Sequence, residues 1–98
     1  LFFGAADAIE HIVVKDFTKC LVIRMRSVPA LDTTAMNALK NLAKVCQAKG
    51  IAMVFSHVNE QPMHVMEKAG FVEIIGEENF RPNISAALER AEEIITVS

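Results

Sequence analysis

The sequence predicts a single α/β domain, a mostly parallel sheet of about four strands covered by about four helices. Three observations predict it. Short, nearly continuous apolar runs alternate with segments of helical period along the chain. Continuous apolar runs suit strands covered on both faces, as in a parallel sheet. The 98 residues, 52% apolar and 22% charged, are enough for one packed core and too few for two. The same composition excludes a disordered chain. The longest apolar run, residues 51–55, is far shorter than the ~20 residues of a membrane span. No basic segment leads into an apolar core, so no signal peptide is read.

Taken in order, Leu1-Phe2-Phe3 reads as the tail of a strand, followed by a helical pattern over residues 5–13. Within the latter, Ile12, Val13 and Val14 fit a strand equally well. Residues 20–25 and 51–55 are the two clearest strands. Between them Ala35, Leu39, Leu42 and Cys46 recur at helical spacing, with Met36 and Ala43 widening the stripe. Lys40, Asn41, Lys44 and Gln47 fall on the other side. Asp32 is the natural N-cap of this helix, and Gly50 the residue able to end it. A shorter helix is expected over residues 62–69, with Met63 and Met66 inward and Gly70 as its stop. Residues 71–75 then read as a third internal strand, placed nearer an edge by Glu73. The last helix begins after Asn83 and carries Ile84, Ala87, Leu88, Ala91, Ile94 and Ile95 on one face. Glu89, Arg90, Glu92 and Glu93 lie opposite, toward water.

Such alternation implies parallel strands joined by right-handed crossovers. Ligands and partners of such sheets use the loops beyond the carboxyl ends of the strands, here residues 4–7, 27–34 and 57–61. A net charge of −2 offers no basic stripe for nucleic acid, nor a surface for anionic lipid. The two cysteines, Cys20 and Cys46, sit in apolar patterns and read as buried small hydrophobes of a reducing compartment. His11, His57 and His64 have no metal-site spacing, and a Ser56–His57 nucleophile pair lacks an orienting third group. No catalytic set, metal or cofactor is expected. The five methionines, Met25, Met36, Met53, Met63 and Met66, read mostly as core filling.

The segment Val28-Pro29-Ala30-Leu31-Asp32-Thr33-Thr34-Ala35 leaves a strand and opens a helix. It resembles the signature loop of the STAS domain, shared by bacterial anti-sigma factor antagonists and the cytoplasmic tails of SulP anion transporters. Leu1-Phe2-Phe3-Gly4-Ala5-Ala6-Asp7 is similar to an element of the transporter branch, and Glu67-Lys68-Ala69-Gly70-Phe71 to the step after the family's third helix. Ala35 stands where the antagonists usually have Gly, which favours the transporter branch. The resemblance implies a STAS (anti-sigma factor antagonist-like) fold over residues 1–98. It also implies one further family strand before Leu1, so the chain reads as a fragment of a longer polypeptide.

By the same resemblance the function expected is that of a cytoplasmic regulatory domain supporting anion transport, of the sulfate permease kind. Its partner would be the transmembrane domain of the same polypeptide, at the cytoplasmic face of the membrane. A protein partner or a second copy are further expectations. The alternative is a free-standing antagonist switched by phosphorylation of Thr34. The interaction or phosphorylation loop is Asp32, Thr33 and Thr34. Thr33, Thr34 and Ala35 at the helix N-terminus are the candidate contacts for an anion or nucleotide phosphate. No glycine-rich cradle or loop lysine accompanies them.

Overall fold

The computed structural model describes residues 19–97. The strand and helix expected over residues 1–14, with the loop 4–7 and His11, lie outside the described residues. Three strands form one parallel sheet in the order β1 (Cys20–Arg24), β2 (Ala52–Ser56), β3 (Phe80–Arg81). Helix α1 (Thr33–Lys49) joins β1 to β2. Helices α2 (Glu60–Lys68) and α3 (Phe71–Ile75), with a 3-10 turn over Glu77–Asn79, join β2 to β3, and α4 (Ile84–Val97) closes the described chain.

Strand alternation divides the apolar residues into two layers. Ile23, Met25, Met53 and Phe55 face one way, into a core shared with Leu39, Met66 of α2 and Phe71 of α3. Val54 is fully buried and points the other way, toward α4, which contacts all three strands and buries Ala87 and Ala91. Small residues there let the helix approach the sheet closely. Phe55 is the hinge of the first layer. It meets Phe71 edge-on, with ring centroids 5.6 Å apart, and stacks on Phe80 at 5.2 Å.

The caps of α1 are as the sequence predicts. Asp32 accepts from the Ala35 N–H at 2.8 Å, and Gly50 takes φ 69°, donating to the Cys46 and Gln47 carbonyls. The C-terminal helix starts as expected too, with Asn83 Oδ1 accepting from the Ala86 N–H at 2.8 Å.

Residues 71–75 are a helix, not the third strand. Alternation would have put Glu73 on one face with Phe71 and Ile75. One helical turn instead buries Phe71, half-buries Val72 and Ile75, and leaves Glu73 and Ile74 in water. The third strand is the two-residue Phe80–Arg81, too short to show a pattern. Two details of α4 also differ. Its buried face is the narrow stripe centred on Ala87 and Ala91, so Leu88 and Ile95 on its flank are exposed. Arg90, on the other flank, is half-buried and donates from Nε to Asn79 Oδ1 at 2.8 Å. Four of the five methionines are buried, while Met63 is half-exposed beside the carboxyl end of the sheet.

Candidate functional site: the loop between β1 and α1

Beyond Arg24 the ladder continues for one bond, from the Met25 N–H to the Ser56 carbonyl at 2.8 Å. A tight turn then closes through the Val28 N–H and the Met25 carbonyl at 3.0 Å. Leu31 is buried and anchors the loop to the core. Asp32 follows in extended conformation, and its own carbonyl accepts the first α1 bond, from the Met36 N–H at 2.9 Å. Asp32, Thr33 and Thr34 are all exposed, while Ala35 is buried. The sequence-predicted loop residues therefore stand together at the carboxyl end of the sheet. The Ala35 N–H is already engaged by Asp32.

Two amide side chains at the start of α2, Asn59 at its N-cap and Gln61 in its first turn, hold this loop in place. Asn59 Nδ2 donates to the Val28 carbonyl at 2.9 Å and the Arg26 carbonyl at 3.1 Å, with the Met25 carbonyl at 3.5 Å. An amide has two such hydrogens, so the two shorter contacts carry the interaction. Gln61 grips both polar groups of Leu31. Its Oε1 accepts from the N–H at 2.7 Å, and its Nε2 donates to the carbonyl at 3.3 Å. This pairing imitates one hydrogen-bonded rung of an antiparallel ladder. The loop has no sheet or helix of its own to satisfy these backbone groups, and the amides supply what it lacks. Between loop and helix runs a groove lined by Arg26, Pro29, Asn59, Glu60, Gln61 and His64.

The histidines are not brought together. His64 borders that groove, whereas His57 lines a separate crevice with Met63, Phe80 and Arg81. Ser56 is buried and His57 exposed, and no hydrogen bond joins them among the described residues. No group of three metal-ligating side chains converges among the described residues. Burial raises the thiol pKa of Cys46. It raises that of Cys20 as well, with Arg90 pulling the other way and Cys46 adding to the rise. Both thiols are free.

Sequence reading placed residues 57–61 among the loops at the carboxyl ends of the strands but did not single out Asn59 or Gln61. Two amides just beyond the end of a parallel strand are the signal that was available, since that position faces the neighbouring loop.

Comparison with known proteins agrees with this architecture. The family model of the STAS domain matches residues 1–87. A probable sulfate transporter 4.2 of Arabidopsis thaliana is 30% identical over 69 residues, 70% of this chain. The chain spans only 10% of that relative's length. A sulfate transporter family protein from Wolinella succinogenes superposes with a TM-score of 0.85 at 28% identity, over 97% of this chain and 84% of its own. The SulP transporter STAS domain from Vibrio cholerae superposes with a TM-score of 0.76 at 26% identity, covering 95% and 71%. With the family model covering residues 1–87 and a parallel α/β sheet, the chain belongs to the STAS domain family.

Proposed function

We propose that this chain is the cytoplasmic regulatory domain of a SulP-type anion transporter, sulfate permease-like, and that its β1–α1 loop is the surface read by the membrane domain of the same polypeptide. One observation carries the reading. Asp32, Thr33 and Thr34 are exposed at the start of α1, directly after a loop backbone that Asn59 and Gln61 pin at Arg26, Val28 and Leu31. A loop whose shape is fixed while its side chains stay in water is preorganised for recognition. The sulfate transporters among its relatives supply the context, and no helix among the described residues is long and apolar enough to cross a membrane. Transport chemistry would then lie outside this chain, and the domain would act by contact rather than by catalysis.

Phosphorylation of Thr34 is the competing use of the same loop. A phosphate there would meet the amino end of α1 favourably but would face the Asp32 carboxylate. The two uses separate by photo-cross-linking. A photoreactive residue at position 34 of the full-length transporter should label the membrane domain of its own polypeptide. Labelling of a separate soluble protein alone would favour the antagonist reading.

A further inference from the structure

A second crevice opens at the carboxyl ends of β2 and β3, lined by His57, Val58, Met63, Phe80, Arg81 and Pro82, with a volume of about 430 Å³. That is the size of a small-molecule site, in the region where parallel sheets bind ligands. Its wall is apolar. Phe55 and Phe71 are fully covered, but Phe80, stacked on Phe55, stays half-exposed at the crevice, as does Met63. Among the described residues, the ionisable ones lining it are His57 and Arg81, and no described carboxylate lines it. Arg81 donates from Nε to the Glu78 carbonyl at 2.7 Å and makes no ion pair among the described residues.

His57 adds a further observation. Among the described residues it is the non-glycine with positive φ, 52°, held there by its N–H bond to the Arg81 carbonyl at 2.9 Å. Left-handed backbone is unfavourable for a side-chain-bearing residue, and such strain tends to gather where function requires a particular presentation. The bond ties the backbone of His57 to that of Arg81 where both line the crevice.

We propose that this crevice binds a small organic carboxylate with an apolar tail. The tail would lie against Val58, Met63, Phe80 and Pro82, and the carboxylate would pair with Arg81 beside His57. The inference does not depend on the reading of the β1–α1 loop, because the two sites share no lining residue.

The test is an NMR titration of the 98-residue chain with sodium hexanoate, sodium acetate and hexan-1-ol as probes. Hexanoate should give saturable shifts at His57, Met63 and Phe80, and the other two probes should bind at least about tenfold more weakly. Arg81→Gln should weaken hexanoate by about five- to tenfold and leave hexanol unchanged, with Arg81→Lys retaining most of the affinity. Because Arg81 also bonds Glu78, Met63→Glu provides a second variant that leaves that bond alone. It should abolish hexanoate binding in a chain whose spectrum stays folded. Absence of saturable hexanoate shifts overturns the proposal. So does acetate binding equally well, which would mean a bare anion site, or hexanol binding equally well, which would mean apolar contact alone.

Discussion

Asn59 occupies the N-cap of α2, where an asparagine ordinarily turns its side chain toward the first helical amides. Here it makes no such bond and spends its amide on the carbonyls of the β1–α1 loop. The cap is sacrificed for the loop. Removing that amide by Asn59→Ala should cost on the order of 1 kcal/mol, since the part-buried Val28 carbonyl and the exposed Arg26 carbonyl lose their partner. Gln61 acts differently because its two bonds are separable. Gln61→Ala should speed amide exchange at Leu31 by about tenfold or more, while Gln61→Glu, which keeps an acceptor for that N–H, should speed it much less. Equal exchange in wild type and Gln61→Ala would mean that the clamp does not hold the loop.

At the same scale, Asp32→Ala should lose about 1 kcal/mol by removing the cap of α1, and Thr34→Ala a small fraction of that. Urea unfolding of both variants measures the difference. The thiols make a pH prediction. A thiol whose pKa is raised by folding favours the native state below its unfolded value, 9.0, and loses that contribution as pH rises through the folded value. Replacing Cys46 with Ala should therefore flatten the fall in melting temperature on the alkaline side of pH 9.

Among the elements, α1 was readable in the sequence in full, because its stripe, its Asp32 cap and its Gly50 terminator agree. Residues 71–75 were not. Five residues of mostly apolar character cannot separate one helical turn from a short strand, and the deciding fact is tertiary. Phe71 has to meet Phe55 from the helical layer. The backbone turns there at Gly70, which adopts φ 73° between α2 and α3. A pair of substitutions separates the two descriptions. Val72 and Ile74 would share a face in a strand, but in this helix Val72 is half-buried and Ile74 is 53% exposed. Val72→Asp should cost several-fold more stability than Ile74→Asp, for which about 0.5 kcal/mol or less is expected. Equal costs would point back to a strand.

Strand β3 escaped notice for a related reason, since two residues carry no period. Its outer edge is nonetheless well protected. The Phe80 N–H donates to the Glu77 carbonyl, and Pro82 has no N–H to offer. Those are donors another strand would use, which disfavours pairing at this edge.

For the molecule as a whole, the alternation of elements was enough to predict a parallel α/β sheet and its covering helices. The loop 27–34 was legible too, because a cap residue, two threonines and the end of an apolar strand coincide there. What holds that loop was not legible. Asn59 and Gln61 are about thirty positions away in sequence, and the parallel pairing of β1 with β2 brings the start of α2 alongside. The fold thus couples α2 to the loop. Displacing α2 would break the bonds to the backbone of Arg26, Val28 and Leu31, just before Asp32.

The membrane domain of a SulP-type transporter is proposed to read this clamped loop, and anion uptake by that proposed full-length transporter tests the proposal most directly. Uptake is measured per transporter at the membrane, normalised to surface abundance, for Thr34→Glu and Thr34→Phe, alongside thermal melts of the isolated chain. Position 34 is exposed, so neither change should lower stability by more than about 0.5 kcal/mol. Uptake reduced by both substitutions at unchanged abundance and unchanged melting temperature is the predicted result. Uptake and abundance both unchanged would reduce the loop to the cap of α1 and contradict the account.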